Sequence, residues 1–333
     1  MTGIAYEDFL DLSYEPSDTD LVCAFHVEPA RDMDMAAAAS RVASESSNGT
    51  WAELQVEEFV DLSATAYDID GSRVRVAYPD ALFDPGNMPQ VLSCIAGNIM
   101  GMKAVDRIRL LDCSWPEPLT TSFPGPQFGS NVRQTIFDAG ERPILATVPK
   151  PKVGLPTDEH VRVGYEAWTG GVDLLKDDEN LTDQAFNPFD DRLTESLAAR
   201  DRAEEETGEP KSYLVNITDE TTAMLERVDR AAEEGCEYVM VDVVTVGWGA
   251  VQTVRDACER HGIAIHAHRA MHAAFDRIDS HGVSMRVIAQ VARLCGVDQI
   301  HTGTADLGKL ASTHPPTEKR IEKLRELERE MER

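Results

Sequence analysis

Lysine is scarce in this sequence, and positive charge as a whole is heavily outnumbered. The 333 residues contain eight lysines and 24 arginines against 59 aspartates and glutamates, for a formal net charge of −27. A surface of this sign repels nucleic acid and anionic membranes, so both are excluded as partners. Dense counterions screen the self-repulsion of such a surface. The composition therefore predicts a halophilic protein, one that folds in a salt-rich cytoplasm.

Paired cysteine motifs, long apolar runs and a leader sequence are also absent. The six cysteines lie far apart in the chain, which indicates reduced, mostly buried thiols and neither a zinc site nor a disulfide framework. The stretch Met1–Leu10 has acidic residues where a signal peptide needs a basic start and an apolar core. No apolar run approaches membrane-spanning length. We therefore expect a cytoplasmic protein.

Residues 1–125 mix short strand-like and helix-like patterns. Leu21–Val27 and Arg73–Tyr78 read as strands, and Met33–Ser46 and Pro89–Asn98 read as helices. This order predicts a small N-terminal α+β domain. Two polar stretches in it, residues 45–51 and 97–103, have by themselves the character of helix ends or loops.

From about Pro143 the pattern changes to a repeated strand, loop and helix. Six strands separated by helices indicate parallel β/α units, with polar residues collected just after the strands, as at the active face of a (β/α)8 barrel. We expect this barrel domain to cover residues 126–312, and a charged helical tail, suited to a surface or a partner, to cover residues 313–333. The predicted strands are Ile144–Val148, Gly171–Leu175, Ser212–Ile217, Tyr238–Val244, Ile263–His266 and Gln299–Thr302.

The most informative stretch is Gly170–Asn180, in which an apolar run leads into Lys-Asp-Asp-Glu. Because strand side chains alternate, Lys176 and Asp178 are predicted to point to one side, with Glu179 on the turn beyond them. Carboxylates are ligands suited to Mg²⁺. A lysine fits among them if its amine is neutral, or if CO₂ converts it to an anionic carbamate. The alternative is a strand that ends in a solvated charged loop.

Four of the eight lysines follow predicted strands and lie near glycine or proline, a distribution that surface decoration does not explain; they are Lys150, Lys152, Lys176 and Lys309. Lys150 and Lys152 flank Pro151 in a run predicted to be extended, which sends both side chains to one side. Lys309 ends a glycine-containing loop that could close over a substrate as a lid.

Three histidines and an arginine lie within residues 266–272, after the fifth predicted barrel strand. His266 and His268 share one face of the strand. Such a group indicates anion binding and proton transfer. A zinc site is the rival interpretation, although no thiol lies near in the sequence.

Together these segments resemble the large subunit of ribulose-1,5-bisphosphate carboxylase/oxygenase (Rubisco), with the archaeal form III branch as the nearest type. The resemblance runs from about Leu21 to Lys309. Its most specific part is Gly170–Glu179, which matches the family signature Gly-Gly-x-Asp-x-x-Lys-x-Asp-Glu at every fixed position. It implies a ferredoxin-like N-terminal domain followed by a TIM barrel.

The resemblance also implies roles for individual residues. Lys176 would be carbamylated and would bind Mg²⁺ together with Asp178 and Glu179. Lys150 would exchange protons around the enediol, with Lys152 beside it. The remaining matches are the catalytic His268, the phosphate contacts Arg269 and His301, the CO₂-orienting Lys309, and four residues that complete the active site of a neighbouring subunit, namely Glu45, Thr50, Trp51 and Asn98.

The implied activity is the carboxylation of ribulose 1,5-bisphosphate to two 3-phosphoglycerates, with O₂ as a competing substrate and a homodimer as the smallest active unit. The sequence departs from the family after Lys309, where the last two barrel strands and their glycine-rich phosphate-binding turns are not found. We therefore expect a barrel truncated after about six units. An enolase or isomerase of a related phosphosugar, and an inactive truncated homologue, remain alternatives.

Overall fold

The computed structural model describes residues 9–50, 60–140 and 142–302. It separates into two compact units, Met1–Ile300 and His301–Arg333. The predictions made for Trp51, for Lys309 and for a tail at residues 313–333 lie outside the described residues. Within the described ranges, no helix is long and apolar enough to cross a membrane.

The N-terminal part alternates strands and helices in the order β-α-β-β-α-β. Strands β1 to β4 form an antiparallel sheet in the order β4-β1-β3-β2, which is the ferredoxin-like arrangement. The predicted α+β domain is thereby confirmed. Its elements are β1 (Leu21–Pro29), α1 (Met35–Glu45), β2 (Thr65–Asp70), β3 (Arg73–Tyr78), α2 (Met88–Ile95) and β4 (Val105–Ser114), followed by the short helices α3 (Glu117–Thr120) and α4 (Val132–Thr135).

Side-chain caps explain where the two longer helices of this domain begin. The Asp34 carboxylate accepts the backbone N–H of Ala37 at the start of α1, and the Asn87 side chain accepts that of Gln90 at the start of α2. The alanine-rich face of α1 is fully buried, because small side chains let the helix approach the sheet closely.

The second part consists of parallel β/α units, as predicted. Its sheet has the order β5-β6-β7-β8-β9-β11, with every neighbouring pair parallel. The elements are β5 (Ala146–Thr147), α5 (Thr157–Thr169), β6 (Leu174–Lys176), α6 (Phe189–Thr207), β7 (Ser212–Asn216), α7 (Thr221–Glu233), β8 (Tyr238–Asp242), α8 (Val243–Val246), α9 (Trp248–His261), β9 (Ala264–His268), α10 (Ala273–Asp276), β10 (Gly282–Val283), α11 (Met285–Leu294) and β11 (Gln299–Ile300).

The concave face of this sheet carries an apolar layer and then a polar one. Leu174, Leu214 and Met240 form a separate buried cluster with Val132 and Phe137, from the segment around α4. One step further along each strand, towards its carboxyl end, the inward positions become polar. This is how a partial barrel buries its interior and still presents polar groups at one rim.

One segment departs from the pattern of its sequence. Residues 283–294 have the apolar spacing of a single helix, but Gly282 and Val283 form β10, which pairs in parallel with β4 of the N-terminal sheet. Helix α11 begins only at Met285, where the Ser284 hydroxyl accepts the N–H of Val287. Local periodicity cannot show a pairing with a strand so far away in the sequence.

Candidate active site

The carboxyl end of β6 brings together the residues of the central sequence motif. Lys176 and Asp178 are both buried. Asp177, between them, turns its carboxylate the other way, towards His160 of α5 and Arg192 of α6. Strand alternation therefore places Lys176 and Asp178 on one side, as the sequence predicts.

Two lysines from the loop after β5 contact two consecutive carboxylates. Lys150 Nζ lies 2.5 Å from Asp178 Oδ2, and Lys152 Nζ lies 3.4 Å from Glu179 Oε1. The Lys150 side chain is 63% exposed and that of Asp178 only 6%, so the amine covers the carboxylate from the solvent side. The chain bends at residues 150–153, and the Lys150–Pro151 peptide bond is cis, where the sequence predicted an extended run. Both amines nevertheless reach the β6 rim, which is the carboxyl end of β6 with Lys176, Asp178 and Glu179.

The amine of Lys176 is buried, and its surroundings shift its pKa in opposite directions. Burial lowers the pKa of this amine below its ordinary value, although Asp177, Asp178 and Glu179 act in the opposite direction. Its Nζ donates to the carbonyl oxygen of Asp177 at 2.5 Å. A lowered pKa increases the fraction of neutral amine, which is the form that reacts with CO₂.

The Asp178 carboxyl remains ionised in this environment. Burial raises its pKa, but hydrogen bonds with Glu179 and Lys150 outweigh burial, and the pKa lies below its ordinary value overall. One of its oxygens, Oδ1, is buried and has no hydrogen-bond partner among the residues that the structure describes. An ionised, buried oxygen without a donor suits a cation.

His268, at the end of β9, faces the same rim. Its Nδ1 accepts the backbone N–H of Ala270 at 3.2 Å and lies 3.3 Å from Asp242 Oδ1. Its Nε2 lies 3.8 Å from Glu179 Oε2. The predicted histidine is thus next to the carboxylate that ends the Lys-Asp-Asp-Glu motif.

The two predicted phosphate contacts follow strands β9 and β11 in the chain. Arg269 follows β9, and its Nη1 lies 2.8 Å from Nδ1 of His272. Its Nε is buried and has no hydrogen-bond partner within the described ranges, so the guanidinium retains a donor for an anion. His301 follows β11 directly in the chain and is exposed.

Glu45 and Asn98 form a second group, in a cleft of the N-terminal domain. Asn98 Nδ2 donates to Glu45 Oε1 at 3.4 Å. A Cβ atom at Gly97 would lie 2.0 Å from the carbonyl oxygen of Ser93, so the approach that brings Asn98 here requires glycine. The cleft encloses about 670 Å³, and no residue of the β6 rim belongs to its described lining. Thr50 lies shortly beyond α1 in the chain.

The β6 rim offers two carboxylates and an amine to a metal. No three His, Cys, Asp or Glu side chains form a metal site within residues 9–50, 60–140 and 142–302. An amine repels a divalent cation, whereas the carbamate of the same lysine would supply an anionic oxygen. With the unpartnered Asp178 oxygen, the residues present fit Mg²⁺ once Lys176 carries CO₂.

Sequence reasoning did not identify three residues that support this rim. Asp242 ends β8 beside His268, Asn216 ends β7, and Asp177 lies behind the motif; all three are buried. Their only sequence signal is a polar residue at the end of a buried apolar strand, a position that also suits a helix cap or a turn.

The chain matches two protein-family profiles. Residues 8–119 match the ribulose bisphosphate carboxylase large chain, N-terminal domain, and residues 130–333 match the catalytic domain. Among curated proteins, the ribulose bisphosphate carboxylase of Pyrococcus abyssi is 46% identical over 320 residues, 94% of this chain and 75% of that protein. That of Archaeoglobus fulgidus is 46% identical over 314 residues, 92% of this chain and 71% of that protein.

Solved structures show the same similarity. The dimeric archaeal Rubisco of Hyperthermus butylicus superposes with a TM-score of 0.86 at 45% identity, over 90% of this chain and 71% of that one. The octameric enzyme of Pyrococcus horikoshii gives a TM-score of 0.85 at 45% identity, over 90% of this chain and 73% of that one. The chain thus spans about three quarters of the length of these relatives.

Proposed function

Because the chain belongs to the ribulose bisphosphate carboxylase large-chain family, we propose that it adds CO₂ and water to ribulose 1,5-bisphosphate. The products are two molecules of 3-phosphoglycerate, and O₂ competes with CO₂. The chain is accordingly a carbon–carbon lyase of the ribulose bisphosphate carboxylase type. The observation that supports this chemistry is the buried Lys176 amine beside Asp178 and Glu179, together with the ion pair between Lys150 and Asp178.

The proposed resident group is Mg²⁺, held by the carbamate of Lys176 and by Asp178 and Glu179. To form the carbamate, the neutral Nζ of Lys176 bonds to the carbon of CO₂ and releases one proton. The lowered pKa of Lys176 supports this step, because it increases the fraction of neutral amine. When bound, Mg²⁺ supplies positive charge that stabilises the developing negative charge of the substrate oxygens.

The chain's own residues have distinct tasks in this proposal. Lys150 is exposed on the solvent side of Asp178, where its ammonium can give a proton to the substrate and its amine can take one. Lys152 and Arg269 add fixed positive charge for an anionic substrate. His268 presents Nε2 on the same rim, 3.8 Å from Glu179 Oε2, and holds a substrate hydroxyl. His301 and Lys309 bind phosphate and orient CO₂.

The N-terminal group acts on a second copy of the chain in this proposal. Glu45, Thr50, Trp51 and Asn98 complete the active site of a neighbouring subunit. The separate cleft that contains Glu45 and Asn98 supports this assignment, as do the dimeric and octameric archaeal enzymes to which the chain is similar. The smallest active unit is then a homodimer.

Radiolabelled CO₂ and ribulose bisphosphate test this function directly. The unaltered protein should incorporate label into 3-phosphoglycerate, and Lys176→Arg should not, because arginine stays protonated and cannot take up CO₂. Lys211→Arg is the matched control, since Lys211 is also buried but pairs with Glu209 away from the rim; it should retain turnover.

Three results would contradict the assignment. Full turnover in Lys176→Arg would exclude the carbamate. Conversion of ribulose bisphosphate without incorporation of label would identify an enolase or isomerase. Absence of any conversion by the folded, Mg²⁺- and CO₂-treated protein would favour an inactive homologue.

A further inference from the structure

Behind the metal-binding motif lies a fully buried carboxylate with a complete set of donors. Asp177 Oδ2 accepts from Arg192 Nε at 3.1 Å and from the backbone N–H of Asn216 at 3.0 Å. Its Oδ1 accepts from the Tyr213 hydroxyl at 2.7 Å, and His160 Nε2 lies 3.4 Å away. Neither Asp177 nor Arg192 is accessible to solvent. Asp177 is therefore fixed from two elements, α6 and β7.

Arg192 connects this carboxylate to the loop that follows the motif. Its Nη1 donates to the carbonyl oxygen of Asn187 at 2.8 Å, and its Nη2 donates to that of Thr182. A single planar guanidinium thus holds the end of β6 and both parts of the loop after Glu179.

Asn216 extends the connection to the metal ligands themselves. Its side-chain Nδ2 lies within hydrogen-bond distance of the carbonyl oxygens of Asp178, at 3.3 Å, and Glu179, at 3.4 Å. The backbone N–H of the same residue binds Asp177. Asp177 therefore fixes the residue that holds the backbone of both carboxylate ligands.

Stability alone does not account for this arrangement. Replacing a buried ion pair by uncharged groups of similar volume is often neutral or stabilising, because each charge loses its hydration. An uncharged pair, however, would not hold the end of β6 in one fixed direction. Asp173, at the other end of β6, provides the comparison: it is a buried aspartate paired with Arg142 at 2.7 Å, but it contacts no part of the rim.

We infer that Asp177 is a positioning residue which, through Arg192 and Asn216, sets the direction in which Lys176, Asp178 and Glu179 face Mg²⁺. This inference rests on the proposed function of the β6 rim. Groups that orient metal ligands in this way typically change metal affinity by about 10- to 100-fold when they are removed.

The test measures metal binding separately from turnover. Mn²⁺ replaces Mg²⁺, its binding is followed by electron paramagnetic resonance with and without CO₂, and the carbamate is followed by the ¹³C resonance of labelled CO₂. The variant is Asp177→Asn with Arg192→Gln, which removes both charges and leaves none buried alone. Asp173→Asn is the matched control, and circular dichroism reports folding in each case.

We expect the double variant to fold and to bind Mn²⁺ about 10- to 100-fold more weakly in the presence of CO₂, with a weaker carbamate resonance. Asp173→Asn should lower the thermal unfolding temperature without changing Mn²⁺ affinity. Should the double variant not fold, Tyr213→Phe keeps both charges and should weaken Mn²⁺ binding by about 2- to 10-fold, the equivalent of one hydrogen bond.

The outcomes separate this inference from the proposed function. If the unaltered protein shows neither CO₂-dependent Mn²⁺ binding nor carboxylation, the proposed function fails. If it shows both, and the folded variants bind Mn²⁺ as tightly as it does, Asp177 has only a structural role and the inference is overturned.

Discussion

Lys176 combines burial, which lowers the pKa of its amine, with four carboxylates nearby that raise it. Burial prevails, so more of the amine is neutral than in an exposed lysine. Alternation of strand side chains was enough to predict that Lys176 and Asp178 share one side. It could not predict the role of Asp177, because the partners of that carboxylate come from α5, α6 and β7, whose positions around it no local pattern shows.

The lowered pKa of Lys176 predicts how carbamate formation depends on pH. Only the neutral amine reacts, so at a fixed concentration of dissolved CO₂ the rate should rise with pH and level off with a midpoint below 10.5, the ordinary value for lysine. Asp178→Asn should lower the midpoint further, because it removes a negative charge that favours the ammonium form. The ¹³C carbamate resonance after rapid addition of labelled CO₂ gives the rate.

An exposed carboxylate on α6 provides the control for this titration. Asp191→Asn changes the net charge by the same amount at a solvated position, where solvent screens its effect on the rim. Its midpoint should equal that of the unaltered protein. A midpoint at or above 10.5 in the unaltered protein would contradict the role of burial.

At the scale of elements, short apolar runs bounded by polar residues were sufficient to predict all six parallel strands. What the sequence did not reveal was an element defined by a distant partner, since Val283 of β10 was read as part of a helix. β10 exists because its two residues pair with Arg109 and Leu110 of β4, and Arg109 also donates to the carbonyl oxygens of Asp276 and Ile278.

The turn into β10 leaves no room for a methyl group at Gly282, so an alanine there should destabilise the fold. Gly282 has φ +109°, and a Cβ atom there would lie 1.9 Å from the carbonyl oxygen of Phe275. Gly282→Ala must therefore displace backbone, and we expect it to lower the free energy of unfolding by at least about 3 kcal/mol. Urea denaturation followed by circular dichroism measures the change.

Gly262→Ala is the matched variant for this experiment. Gly262 also has a positive φ, +67°, but a Cβ atom there would have no heavy atom within 4 Å. Its cost should be limited to the left-handed conformation, roughly 1–2 kcal/mol. Equal losses in the two variants would show that the contact with Phe275 is relieved without cost and that β10 is not held tightly.

For the whole molecule, the net charge of −27 predicts that stability depends on salt. Exposed like charges repel within a Debye length of about 10 Å at 0.1 M salt, and this length falls to about 3 Å at 1 M. We therefore expect the free energy of unfolding to increase as KCl is raised from about 0.1 M to about 2 M, because salt screens the repulsion between exposed charges almost completely over this range. Neutralising exposed carboxylates of α6, with Asp191→Asn, Glu195→Gln and Glu205→Gln together, should raise stability at low salt and flatten the dependence.

Sucrose separates charge screening from general exclusion of solutes from the protein surface. It favours the folded state without screening, so the triple variant and the unaltered protein should respond to it equally. If their responses to KCl are also parallel, the acidic surface is not what makes the protein depend on salt.

The separation of the β6 rim from the Glu45 cleft gives the last prediction, which concerns two copies of the chain. Lys176→Ala removes a residue of the rim, and Glu45→Gln alters the cleft that is proposed to serve the partner's rim. Each variant alone should be inactive in carboxylation. A heterodimer of the two has both defects in one site and none in the other. Random mixing makes half of the dimers mixed, so co-refolded variants should recover roughly a quarter of the unaltered activity.

The ratio of the two variants in the mixture provides a further test of the recovered activity. Activity should vary with the ratio of the two variants and be highest at equal amounts, because only mixed dimers contain an intact site. Lys176→Ala mixed with Lys152→Ala is the control, since both changes lie on the rim and no intact rim is formed in any dimer. No recovery with Glu45→Gln would mean that each chain completes its own site, and the cleft around Asn98 would then need another role. Recovery in the control would contradict the placement of Lys152 and Lys176 on the rim of one chain.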